Sequence, residues 1–180
     1  KYSRIKDVMP MKVTQNGITH YYAFDPKRLA YLFHSEDKFR RSKEWKATAK
    51  ILDAMVQTAV NNGSKPIFVY VPSTPHLVIP FASDLPAKQI SRFLAYAEKN
   101  LPDTHEKTKQ AIYENLNSLE NVFMKNCAEK QLQCLSLTPV LQQAVQQGIQ
   151  PYYSYDQHWT PDGNKIAAEA VENYLRSITP

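Results

Sequence analysis

The run Ile67-Phe68-Val69-Tyr70-Val71 constrains this chain more than any other stretch. Five consecutive apolar or aromatic residues leave no polar face. Such a segment reads as a strand covered on both sides, as in a parallel sheet. Ahead of it, Trp45, Ala49, Leu52, Met55 or Val56, and Ala59 or Val60 recur every three to four residues. That spacing predicts an amphipathic helix over Trp45 to Asn62. Asn62-Gly63 suits its C-terminal stop, and Lys65-Pro66 leads into the strand. Helix, short loop and buried strand together give the rhythm of an α/β fold.

The flanking regions extend this pattern. Met11 to Phe24 predicts a hairpin around Asn16-Gly17, since a tight type I′ turn needs positive φ at both central residues. Lys27 to Phe33 reads as a short helix. This tyrosine-rich region reads as an excursion from the core fold. The expected division is a hairpin region over 1–44 packed on the core and an α/β body over 45–180, one domain overall. Ala87 to Asn100 and Asp103 to Lys130 read as helices, with Asp103 and Glu106 at capping-box spacing. Ile112, Leu116, Leu119, Phe123 and Cys127 form a core-facing stripe. Leu132 to Leu137 predicts a second strand. Thr138 as N-cap and Pro139 at the first helical position open the next helix, which Gly148 closes. Thr160, Pro161 and Asp162 repeat that start signal for the last helix.

Composition narrows the function classes. With 180 residues, 43% hydrophobic and 22% charged, the chain has the means to bury a core. No apolar run reaches the length of a membrane-spanning helix. No signal peptide is visible, but the chain begins at Lys1, so a processed chain or a cut piece is expected and the missing leader carries little weight. A net charge of +5 favours anionic partners. The basic cluster Lys38-Phe39-Arg40-Arg41-Ser42-Lys43 reads as a solvated helix entrance. Without a nucleic-acid-binding signature beside it, nucleic acid is not an expected partner. Cys127 and Cys134 stand seven apart, either as buried thiols or as a disulfide. They are too few for a metal site, and no cofactor is expected.

Chemistry concentrates at Tyr152-Tyr153-Ser154-Tyr155-Asp156-Gln157-His158-Trp159-Thr160-Pro161-Asp162-Gly163. A histidine near its ordinary pKa is a general base at neutral pH, and a carboxylate that fixes its tautomer improves it. Residues i and i+2 of an extended segment point the same way, about 6.6 Å apart, so Asp156 can reach His158. Trp159 either walls the site or fills the core. The plain structural alternative is that Asp156 and His158 brace a loop and a helix start. Metal hydrolysis on these two residues needs a third ligand that the sequence does not place. A second candidate region is Pro72-Ser73-Thr74-Pro75-His76, which leaves the Ile67 strand where α/β sheets bind ligands. Ser73 and His76 are its candidate substrate contacts, as is Tyr153 beside the main motif.

The block Asp156-Gln157-His158-Trp159-Thr160-Pro161-Asp162-Gly163-Asn164, followed by an Ala-rich helix, resembles the last block of the SGNH/GDSL hydrolase superfamily. It is most similar to the branch of alginate-type polysaccharide O-acetyltransferases and carbohydrate esterases. Phe68-Val69-Tyr70-Val71-Pro72-Ser73 resembles that branch's strand–Pro–Ser loop. The resemblance covers about residues 64–178. It implies a three-layer α/β/α sandwich with a mostly parallel sheet, and a Ser-His-Asp triad with His158 as base and Asp156 as its orienting partner. It further implies acyl transfer or hydrolysis on an extracytoplasmic polysaccharide or other acylated carbohydrate. A membrane-associated parent protein is compatible with it, and the oligomeric state stays open. The chain departs from the pattern in lacking a Gly-Asp-Ser block, a Gly-x-Asn-Asp block and a Gly-x-Ser-x-Gly elbow. Either the serine lies beyond Lys1 or Pro180, so that one or more sheet strands are also missing from this chain, or the domain is a catalytically inactive module that binds or assembles glycans.

Overall fold

Asn16 and Gly17 adopt φ of 50° and 74°, which closes the predicted tight turn between β1 (Met9–Gln15) and β2 (Ile18–Phe24). The two strands pair antiparallel from Gln15↔Ile18 to Met9↔Phe24. The computed structural model describes residues 8–82 and 85–178. After the hairpin come α1 (Pro26–Phe33), α2 (Glu36–Arg41) and α3 (Lys43–Asn61). Each is started by a side-chain cap: Asp25 accepts from the Arg28 N–H, Ser35 from Lys38, and Ser42 from Trp45.

The predicted strand is β3 (Ile67–Tyr70), followed by α4 (Thr74–Val78) and a 3₁₀ turn over Ile79–Phe81. Then come α5 (Ala87–Leu94), α6 (His105–Glu114) and α7 (Ser118–Glu129). β4 (Gln133–Ser136), α8 (Thr138–Gln146) and α9 (Pro161–Ile178) complete the chain. β3 and β4 pair in parallel, Ile67↔Gln133 to Tyr70↔Ser136. The Leu137 N–H continues the ladder to the Tyr70 carbonyl at 3.0 Å. A parallel pair joined through helices is α/β architecture.

The hairpin is more deeply embedded than its sequence suggests. Met9, Met11, Val13, Tyr22 and Phe24 are buried in one cluster with Leu29, Leu77, Ile79, Ile90, Leu94, Ile112, Leu137 and Leu141. The reading of this region as lying outside the core is therefore corrected. Alternation along β1 puts Met9, Met11 and Val13 on one inward face. Pro10 and Lys12 between them hide how apolar that face is.

Other expectations shift in detail. The predicted stripe of α3, Trp45, Ala49, Leu52, Val56 and Ala59, is only half-buried, and the helix holds no fully buried residue. β3 is covered on one face only, through Phe68, while Val69 and Val71 are 37% and 47% exposed. A run of apolar residues allows coverage on both faces but does not supply the covering layer. The long helix expected to Lys130 breaks at Asn115–Asn117. It starts on Thr104, whose hydroxyl accepts from the Lys107 N–H, while Asp103 pairs with the Lys107 ammonium. Leu137, not Thr138, is the N-cap of α8, because the Thr138 hydroxyl donates to Glu120 instead.

Cys127 on α7 and Cys134 on β4 form a disulfide, with Cα atoms 6.2 Å apart. No helix among the described residues is long and apolar enough to cross a membrane. By chain entropy, the seven-residue disulfide loop contributes about 2–3 kcal/mol by restricting the unfolded state. Reducing it, or replacing both cysteines with alanine, will lower the urea midpoint by a matching amount. An unchanged midpoint would show that the bridge adds no stability.

Candidate functional site

The segment from Gln150 to Thr160 turns back on itself as a narrow loop. Tyr152 and Trp159 face each other in an antiparallel bridge. The Tyr153 N–H donates to the His158 carbonyl at 3.1 Å, and the Thr160 N–H to the Pro151 carbonyl at 2.9 Å. The Thr160 hydroxyl donates to the Gln150 carbonyl at 2.7 Å and accepts from the Gly163 N–H at 3.1 Å. One side chain thus closes the loop and caps α9, as its place before Pro161 predicts.

Gly163 is required by contact and not by backbone angle. A Cβ built there would sit 2.1 Å from the Pro151 carbonyl oxygen. Glycine in the first turn of a helix is otherwise unfavourable, and here it lets the helix start press against the loop backbone.

Two further ties hold the loop from outside. The Tyr152 hydroxyl donates to the Pro72 carbonyl at 2.5 Å, fixing the loop to the exit of β3. Burial raises the pKa of that hydroxyl, partly offset by the neighbouring Trp159 indole. On the opposite side, the Ala23 N–H of β2 donates to the Ser154 carbonyl at 2.7 Å.

Asp156 and His158 stand together on this loop. Asp156 Oδ1 accepts from the His158 backbone N–H at 2.8 Å and also pairs with His158 Nδ1. The two bonds hold the Asp156 carboxyl below its ordinary 3.8, the backbone N–H contributing most and the imidazole next. With Nδ1–H given to the carboxylate, Nε2 of the neutral ring keeps a lone pair. The His158 side chain is 87% exposed, so that nitrogen is open to a substrate.

His158 lines a cleft of about 400 Å³ together with Gln157, Trp159, Asn164, Tyr152, Val71, Pro72, Ser73, Thr74 and Arg28. Ser73 and Trp159 share one cleft with His158. No hydroxyl among the described residues hydrogen-bonds to His158. Tyr153 is half-exposed but does not line the cleft.

His76 lies elsewhere. It is 1% exposed, accepts at Nδ1 from the Tyr70 hydroxyl at 3.3 Å, and donates from Nε2 to Asn117 Oδ1 at 2.9 Å. Glu120, 3.6 Å from Nε2, accepts from Ser136 at 2.5 Å and Thr138 at 2.8 Å. The helix beginning at Thr74 turns His76 inward, away from the cleft, into this hydrogen-bonded layer behind β3 and β4. Arg28, Gln157, Asn164 and Thr74 escaped the sequence reading. Gln157 and Asn164 lie within the motif itself and could have been found there. Arg28 carries no local signal, because only the packing of α1 on α4 brings it to the cleft.

The family model for the SGNH hydrolase-like domain of the acetyltransferase AlgX matches residues 85–179. No curated protein and no solved structure gives a significant match.

Gly163→Ala will destabilise the protein by about 1–3 kcal/mol, since the clashing atom is backbone and cannot swing aside; thermal unfolding without a drop in midpoint would refute the close approach. Carboxyl NMR titration will place Asp156 below 3.8. Its stabilising contribution is then present above that value and fades as pH falls through the lower folded one. His158→Ala keeps the backbone N–H, so the midpoint will return only part of the way; full return would contradict the order of the two causes.

Proposed function

Because the chain belongs to the family of the SGNH hydrolase-like domain of the acetyltransferase AlgX, we propose that it carries the acid–base half of an O-acyl transfer site for carbohydrate. The observation that carries this reading is the Asp156–His158 pair at an open cleft beside the exit of β3. In open α/β sheets that exit is where ligands bind.

In this mechanism His158 Nε2 takes the proton of a serine hydroxyl as its oxygen bonds to the ester carbonyl carbon. The carbonyl electron pair moves to oxygen, and Asp156 steadies the imidazolium. When the carbonyl re-forms, the sugar–oxygen bond to the acyl carbon breaks. The proton passes from Nε2 to the departing alkoxide. A second cycle, with water or another sugar hydroxyl as nucleophile, clears the acyl-serine. The serine is not identified in this chain. Ser73 and Trp159, which line the cleft, serve as substrate contacts, and Tyr153 flanks them.

The same reading extends to architecture and location. β3 and β4 are then central strands of a three-layer α/β/α sandwich. The Cys127–Cys134 disulfide favours an oxidising, extracytoplasmic setting, where polysaccharides are modified.

A second reading, a glycan-binding module without catalysis, draws on the lack of a hydroxyl bonded to His158 among the described residues and on Tyr155, 85% exposed on the cleft loop. His158→Ala decides between them. The catalytic reading expects turnover of p-nitrophenyl acetate by the full-length protein to fall about 10²–10⁴-fold. Turnover equal to the parent protein's would remove His158 as the base.

A further inference from the structure

His34 stands at the corner between two helices. It is the C-cap of α1, and Ser35 beside it is the N-cap of α2. Its side chain is 18% exposed, and the ring centroids of Phe33 and Phe39 lie 5.7 and 6.0 Å from its own. Nε2 donates to Glu98, just beyond α5, at 3.1 Å. The adjacent Phe33 carbonyl accepts from Asn115, at the end of α6, at 3.2 Å. The ring is thus one of the ties between this corner and the body.

The neutral imidazole suits this position and the charged one does not. With Nε2–H given to the carboxylate, Nδ1 is left as a bare lone pair. It is buried and has no partner among the described residues. A second proton has to sit on Nδ1, as a charged N–H with no acceptor. Glu98 offsets only part of that cost, because the Lys38 ammonium lies 3.6 Å from the same carboxylate oxygen. Burial and Lys38 together hold the imidazole below its ordinary 6.5, against the opposing pull of Glu98. The other charged or titratable groups near the ring line a cavity of about 390 Å³ beside it: Lys27 and Tyr31 from α1 and Glu44 from α3.

We propose that His34 and Glu98 form an acid-sensitive latch, which lets go when the ring takes up its second proton, opens the α1–α2 corner and slackens the helix that brings Arg28 to the cleft. Opening gives Nδ1–H access to water, so the open corner binds the proton more tightly than the closed one. The closed state's advantage is therefore full above 6.5 and is lost as pH falls through the lower closed-state value. Between the two values, each unit of acidification multiplies the opening equilibrium by up to about ten. The inference is independent of the catalytic reading, since it concerns a histidine that does not line the cleft.

Imidazole NMR titration of the full-length protein will place His34 below 6.5. Lys38→Gln will move that titration up, and Glu98→Gln will move it down. Amide hydrogen exchange over about pH 8 to 5 then reads the latch itself. Protection of the α1 amides from Leu29 to Phe33 will fall on the acid side, while that of β3 and β4 holds. His34→Gln, uncharged throughout, will abolish the acid fall whatever its own baseline. His105→Gln, at the exposed start of α6, will leave the fall in place. A His34 titration at or above 6.5, the same acid fall in His34→Gln, or an equal fall across β3 and β4 would each overturn the inference. So would a titration unmoved by Glu98→Gln, since the ring would then have no carboxylate to hold it.

Discussion

The Pro151 carbonyl is the point on which the site depends. It accepts from the Thr160 N–H, lies 3.3 Å from the Thr160 hydroxyl, and presses against the bare Cα of Gly163. Those contacts set the angle at which the loop enters α9. Everything between Pro151 and Thr160 is then confined to a tight return, and Asp156 and His158 fall near its tip. Backbone hydrogen bonds, the Thr160 hydroxyl and the buried Tyr152 side chain together give this loop its shape. The His158 ring is thereby held by its neighbours while staying open to solvent.

Much of this was legible in the sequence wherever the signal is local. Thr160-Pro161 announces a helix start, Asn16-Gly17 a tight turn, and Asp156-x-His158 an imidazole beside a carboxylate. Each depends on atoms within a few residues of one another, so the sequence contains the whole interaction. The parallel pairing of β3 and β4 was readable in outline for a similar reason: short apolar runs separated by helical periodicity admit few arrangements.

What the sequence concealed is tertiary. His76 follows a strand as a ligand-binding residue would, yet one early helical turn at Thr74 directs it to Asn117 and Tyr70. Thr138 has the signature of a cap, but Glu120 from α7 competes for its hydroxyl and wins. Gly163 was visible as part of a motif, while its cause, a carbonyl twelve residues earlier, was not. Arg28 is the clearest case: nothing near it in sequence mentions a cleft.

The hairpin's attachment also bears on when the molecule can assemble. His20 reaches the Gly148 carbonyl across 128 residues, and Ala23 holds the Ser154 carbonyl from the same strand. As the chain emerges from the ribosome in order, β1 and β2 can zip together at once, because their turn is local. Their inward face, with Met9, Met11 and Phe24, shares one core with Leu141 and Val145 of α8, more than a hundred residues along the chain. Such late closure is slow and leaves apolar surface uncovered meanwhile.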